Sequence, residues 1–235
     1  MEILLFVAGT VALLAGWWWL ARKTAAERDG LARVLGLAPL PAGPDESRAE
    51  RGFEHQQRVA AGTLGGRPVE LWIRSWRRAR RAGPGPSIRT LLVLPIAEGG
   101  GATRLGVEPR SRASVLDAWF GPSEEVATGD PDFDSTFAVV TSDSAKASAL
   151  LDSELRRGLL AWRRRFVGAA GSGAAEKLAD AAAGAVLEVE PGRILWAVPG
   201  SPRPELEERL RAALPFLEAL ARKLERAADR PDRAA

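Results

Sequence analysis

The chain has 235 residues, enough for one domain plus an anchor, and its 33 Lys and Arg against 30 Asp and Glu give a formal net charge of +3. It has no Cys and one His, which excludes disulfides, thiolate sites and His-rich metal sites. A Ser-His-Asp triad would have to use His55, which lies in the polar segment Phe53-Glu54-His55-Gln56-Gln57 with no nucleophile motif beside it.

Residues Ile3 to Ala21 carry no charge. Nineteen residues at 1.5 Å rise approach the ~30 Å hydrocarbon thickness of a bilayer, so residues 1–21 are expected to be a transmembrane anchor. Trp17, Trp18 and Trp19 stand where an interfacial aromatic belt belongs, and Arg22 and Lys23 follow at once. Glu2 before the run and bulky Trp after it argue against a cleaved signal peptide. The positive flank is on the C-terminal side, at Arg22, Lys23, Arg28 and Arg33. The positive-inside rule then places the N-terminus outside and the domain in the cytoplasm of a single-pass inner-membrane protein. Arg far outnumbers Lys and Ala is abundant, a composition that points to a GC-rich bacterial genome.

Residues 22–36 read as a short amphipathic helix, lying on the membrane or continuing the anchor. Pro39, Pro41, Gly43 and Pro44 mark a linker, so 22–50 is expected to be juxtamembrane and the domain to run over 51–228. Residues 58–76 read as a β-hairpin turning at Gly65-Gly66. Val69, Leu71 and Ile73 alternate onto one face. Glu70, Trp72, Arg74 and Trp76 take the other. With Arg77 and Arg78, residues Trp72, Arg74 and Trp76 are a candidate basic-aromatic surface for lipid headgroups or nucleic acid. The competing reading is a second buried layer and a solvated loop. Ile88 to Ile96 is almost continuously apolar, the pattern of a central strand. Thr103 to Glu108 is a further strand, and 111–120 a short helix stopped by Gly121-Pro122.

Gly129-Asp130-Pro131-Asp132-Phe133-Asp134-Ser135-Thr136-Phe137 is the most specific stretch. Gly129 and Pro131 mark a turn, and Asp130 and Asp132 suit turns and caps. Phe133 and Phe137, four apart, share a face in a strand or a helix alike. Asp130, Asp132 and Asp134 have the 1-3-5 spacing of an EF-hand loop. That loop also needs Gly at its sixth position and Glu at its twelfth, which here are Ser135 and Thr141. An acid/base or Mg²⁺ role for the three carboxylates competes with plain capping.

The pattern Gly-Asp-x-x-Phe-Asp-x-x-Phe resembles that of uncharacterised bacterial membrane-anchored proteins that share a domain of unknown function. The resemblance extends to the hairpin Gly62-Thr63-Leu64-Gly65-Gly66-Arg67-Pro68-Val69 and to Leu150-Leu151-Asp152-Ser153-Glu154-Leu155, and covers residues 52–225 loosely. It implies a fold neighbourhood and no activity.

Asp143 caps a short helix to Leu151, and Asp152 caps a second over 153–166. Leu151, Leu155, Leu159, Trp162 and Phe166 make its apolar face, while Arg156, Arg157, Arg163, Arg164 and Arg165 occupy the others. Residues 168–184 are rich in Gly, Ala and Ser around a short helix at 174–182. Val186 to Val198 is a second hairpin, with Pro191-Gly192 fitting a type II turn. Pro204 opens the last helix, whose Leu206, Leu210, Ala213, Leu217, Leu220 and Leu224 form one stripe. Leu214 and Ala221 widen that stripe, favouring packing on a sheet over a coiled-coil dimer. Pro215 is expected to kink or divide the helix. Residues 229–235 are expected to be a disordered tail.

The expected fold is α+β: a transmembrane helix, then an antiparallel sheet with helices on one face and a long C-terminal helix. A strongly bent sheet closed by that helix is the alternative. Nucleotide-binding loops and the nucleophile elbow are absent from the sequence, and no cofactor is implied. The leading expectation is a membrane-tethered, non-catalytic binding or scaffold domain. Its partners would be the lipid bilayer, through residues 3–21, and an unidentified protein. The alternatives are a peripheral sensor of anionic lipid and a metal-dependent hydrolase using the Asp cluster. Nucleic acid is not expected, because the Arg residues are scattered among balancing acids.

Overall fold

Two tight hairpins build the centre of the sheet. Strands β2 (His55–Leu64) and β3 (Arg67–Arg77) turn at Gly65 and Gly66, both with positive φ (58° and 82°), the backbone that a two-residue type I′ turn requires. Strands β8 (Val186–Glu190) and β9 (Arg193–Pro199) turn at Pro191-Gly192, with Gly192 at φ 78°. The structure is a computed structural model that describes residues 22–41, 55–77, 86–96, 104–110, 124–166 and 185–228. The expected span at 3–21, the helices at 111–120 and 174–182, and the tail lie outside these residues. No helix among the described residues is long and apolar enough to cross a membrane.

The remaining strands are β1 (Ala38–Pro39), β4 (Pro86–Pro95), β5 (Leu105–Pro109), β6 (Glu124–Glu125) and β7 (Phe137–Thr141). Together with the four hairpin strands they form, among the described residues, one nine-stranded sheet in the order β1-β2-β3-β4-β9-β8-β5-β7-β6, and every pairing is antiparallel. Strand β4 sits between β3 and β9, the central position that its apolar run implied.

The helices pack on one face. Helix α1 covers 22–35. It is followed by α2 (Pro131–Thr136), α3 (Ser144–Leu150), α4 (Ser153–Phe166), α5 (Glu207–Arg211) and α6 (Leu214–Ala228). Their apolar stripes meet Val69, Leu71, Leu92, Leu94, Leu187, Ile194 and Trp196 of the sheet in one core. Pro204 starts a 3₁₀ turn (Pro204–Leu206), and Pro215 stands at the second residue of α6, so the final helical run is divided as its prolines dictate.

The domain boundary expected near residue 51 is corrected. Leu31, Ala32, Leu35 and Leu37 are buried in the core, so α1 packs as part of the domain. Gly36 (φ 77°) ends α1 in a Schellman motif, with Gly36 N–H donating to Arg33 O at 2.9 Å and Leu37 N–H to Ala32 O at 2.8 Å. The chain then pairs β1 with β2, Ala38 opposite Ala61, so Pro39 is in an edge strand rather than a linker.

The opposite face of the sheet is also buried. It presents Trp72, Leu91, Val93, Val140, Val186, Leu195 and Ala197 as a second apolar cluster. Among them Arg74 donates through Nη1 to both oxygens of Glu188, at 2.9 and 3.1 Å. Strands β4 and β9 separate the two residues, and the register displaces them by four residues along the strands. On a flat sheet their Cα atoms would stand roughly 19 Å apart. Extended side chains and one hydrogen bond span only about 15 Å. The sheet is therefore coiled along this diagonal, and this face is concave along it.

Candidate functional site

The Gly129–Phe137 stretch folds as a capped helical turn feeding a strand. Asp130 is the N-cap of α2: one carboxylate oxygen accepts from Phe133 N–H at 3.2 Å, and the other accepts from Arg156 Nε at 3.2 Å. Asp134 accepts from the backbone N–H and hydroxyl of Thr128, at 2.9 and 2.8 Å, and from Gly129 N–H at 3.1 Å. Partial burial opposes its ionisation, but those hydrogen bonds and the Arg110 charge outweigh it and hold the Asp134 carboxyl below its ordinary value. The Asp132 carbonyl accepts from Ser135 and Thr136, while its side chain points outward. Phe133 is fully buried, with its ring 5.0 Å from that of Phe137 at the start of β7.

Asp130, Asp132 and Asp134 thus belong to caps and turns. Among the described residues no group of three or more His, Asp or Glu is placed to hold a metal ion.

The basic-aromatic surface is corrected. Trp72 is 6% exposed and donates from Nε1 to Glu70 at 2.8 Å, and Arg74 is 1% exposed in its pair with Glu188. Both lie inside the concave face. For these two residues the competing reading, a second buried layer, is the one the structure bears out. The side chains of Trp76 and Arg77, and all of Arg78, fall outside the described residues.

Glu188 lies in a buried charged group. Arg74 and Arg89 stand opposite each other on β3 and β4, and Glu108 and Glu190 are buried on the same face. Burial pushes the Glu188 carboxyl above its ordinary value despite the pull of Arg74. Glu190 accepts from Arg193 at 2.7 Å, and that guanidinium lies 5.9 Å from the Trp72 ring centre. Arg74 with Glu188 and Arg193 with Glu190 are thus paired on this face.

Among the described residues a groove of about 330 Å³ lies between α4 and the α5–α6 run. Its floor is Leu155, Trp162 and Phe216. Its walls are Gly158, Ala161, Ala212, Pro215 and Ala219, and its ends are Glu154 and Arg165 with Phe166. Beneath it Trp196 packs edge-on against Trp162 (4.9 Å) and Phe216 (5.1 Å). Trp162 is fixed by donating from Nε1 to Arg209 O at 2.8 Å, whereas the buried Nε1 of Trp196 meets no acceptor among the described residues. Gly158 sets the helix spacing, because a Cβ there would stand 3.2 Å from Cβ of Phe216.

Sequence reasoning assigned Trp162 to the apolar face of its helix but missed the groove. Its one legible signal was Gly158 inside a helix, which costs about 1 kcal/mol relative to Ala and so implies a close approach.

No protein-family model matches the chain, and no curated protein matches it. Among solved structures, the crystal structure of the mycobacterial trehalose monomycolate transport factor A, TtfA, is similar at 12% sequence identity and a TM-score of 0.45. The match covers 88% of this chain and 94% of that chain.

Proposed function

We propose that this protein is a non-catalytic binding or scaffold domain, tethered to the bacterial inner membrane by residues 3–21, with the domain in the cytoplasm. The groove between α4 and α6 carries the reading. A shallow groove lined by the small residues Gly158, Ala161, Ala212, Pro215 and Ala219 runs there over the buried Leu155, Trp162 and Phe216, which Trp196 ties to the core. The carboxylates of the most specific sequence motif, in contrast, serve caps and ion pairs. The tether is supported by nineteen uncharged residues followed directly by Arg22 and Lys23. The resemblance to membrane-anchored bacterial proteins points the same way.

A photo-crosslinking side chain at Ala161, which lines the groove, tests this in the full chain in its own membranes. We expect a discrete protein adduct that is lost when Ala219→Trp plugs the groove. No such adduct should form from Ser148, which is exposed on α3. Equal labelling from both positions, or labelling indifferent to the plug, would refute the groove as the working surface. A reporter fused after Ala235 tests the topology: activity on the outer side of the membrane would overturn the cytoplasmic placement.

A further inference from the structure

We propose that the groove between α4 and the α5–α6 run takes an acidic amphipathic helix of a partner protein. The proposal rests on the reading of this groove as the working surface and names the chemistry that fits it. Helix α4 and the α5–α6 run are antiparallel, since Asp152 pairs with Lys223 at one end and Arg165 with Glu208 at the other. Along the furrow between them Ala161 and Pro215 are exposed, and Gly158, Ala212 and Ala219 are half-exposed. These side chains are short, so a third helix can approach closely and bury its apolar anchors against them. Glu154 and Arg165, at the two ends of the groove, stand eleven residues apart on α4, about 16 Å of helix. That length accommodates three turns of a partner, and so anchors at i, i+4 and i+7.

The banks of the groove decide the charge of that partner. On α4, Arg157 and Arg164 lie four residues before and three after Ala161, and both are exposed. On α6, Arg222 and Arg226 lie three and seven residues after Ala219, and both are exposed. Nearby carboxylates are already engaged: Asp152 with Lys223, Glu208 with Arg165, and Glu218 with Arg222 at 3.9 Å. Arg157 donates to the backbone carbonyl of Ser153 at 3.1 Å. Among the described residues no carboxylate pairs with Arg157, Arg164 or Arg226, and Glu154 is the one unengaged acid lining the groove.

A helix with Asp or Glu beside its apolar anchors meets these banks with opposite charge. Each exposed ion pair adds up to about five-fold in affinity, and salt screens it. A second copy of this chain would set the arginines of α4 or α6 against arginines. A flat lipid surface would meet the arginines and leave the furrow between them unfilled.

The test titrates full-length protein in phosphatidylcholine nanodiscs against two fluorescent peptides of about 15 residues, four helical turns. Both carry Leu at i, i+4, i+7 and i+11; one has Glu at the flanking positions and the other Lys. Empty discs supply the blank. The Glu peptide is expected to bind about ten-fold more tightly than the Lys peptide, to gain helical circular dichroism on binding, and to weaken with added salt. Ala219→Trp, which fills the furrow, should abolish that binding. Arg157→Glu/Arg164→Glu/Arg226→Glu changes exposed side chains only, and should keep the wild-type melt while reversing the preference between the peptides. Equal binding of the two peptides, a preference unchanged in the charge-reversed variant, or Glu-peptide binding indifferent to Ala219→Trp would overturn the proposal. Failure of both peptides would overturn it too. The Ala161 crosslink reads the groove separately: an adduct lost with Ala219→Trp in that case keeps the groove and discards the acidic helix. Self-association abolished by Ala219→Trp, read by sedimentation, would give the groove to a second copy and likewise overturn the proposal.

Discussion

Arg74→Leu is the substitution whose effect the structure defines most sharply. The side chains of Arg74 and Glu188 are 2% and 3% exposed, and Glu188 gains its pairing from the Arg74 guanidinium. Removing that cation takes away the direct partner of Glu188 and leaves only the charge of Arg89 acting on a carboxylate buried inside the sheet. Such a loss costs about 3–5 kcal/mol, whereas replacing both partners by apolar residues is often neutral or stabilising. A cost near 4 kcal/mol lowers Tm by about 8–16 °C in a chain of this size. Urea titration followed by Trp fluorescence is suitable, because Trp72 and Trp196 are in the core. The expected order of stability is wild type, then Arg74→Leu/Glu188→Leu close to it, then Arg74→Leu far below. The pH dependence adds a sign. Burial raises the Glu188 carboxyl in the folded state, so the fold binds that proton more tightly than the unfolded chain does. Its stabilising contribution is complete below the unfolded carboxyl value and is lost as pH rises through the folded one. Without Arg74 the folded value rises further, so the penalty of Arg74→Leu should be smaller at pH 5 than at pH 8. A cost under about 1 kcal/mol, or a double variant as unstable as the single, would refute the buried Arg74–Glu188 pair as the source of the effect.

Three further outcomes are expected. A fragment starting at residue 22 should melt cooperatively and one starting at 51 should not, because the shorter one loses the buried Leu31, Leu35 and Leu37. At about 1.5–3 kcal/mol each these amount to roughly 5–9 kcal/mol, a large share of a domain's stability; matching melts by circular dichroism would show that α1 is dispensable. Phe133→Ala should cost about 3–5 kcal/mol in urea titrations, since the ring is wholly buried against Phe137. Asp134 has a lowered carboxyl pKa, so its contribution is full above the unfolded value and is lost as pH falls through the folded one. Asp134→Asn should therefore flatten the acid limb of stability below about pH 4, and an unchanged limb would contradict the capping role.

Part of the candidate site was legible before any coordinates. Asp143 and Asp152 accept from Lys146 and Leu155 N–H as helix caps, where the residue type alone placed them. Helix α4 has the expected bounds, and its apolar face faces the core at Leu155, Leu159 and Trp162. The groove was not legible, because it needs Gly158 and Ala161 of one helix to meet Ala212 and Ala219 of another. No rule of sequence spacing joins residues that far apart.

The same division runs through the whole chain. The sequence by itself determined the hairpins at Gly65-Gly66 and Pro191-Gly192, the caps, the strand faces and the break at Pro215. Those features follow from sterics and hydrogen bonds acting over a few residues. Tertiary structure alone decided that Arg74 faces inward, since a buried guanidinium is tolerable only with a carboxylate 114 positions away in the chain. It also decided that α1 is part of the domain. An amphipathic stripe states that a helix will bury one face, and only the assembled sheet and helices supply the apolar surface that buries it.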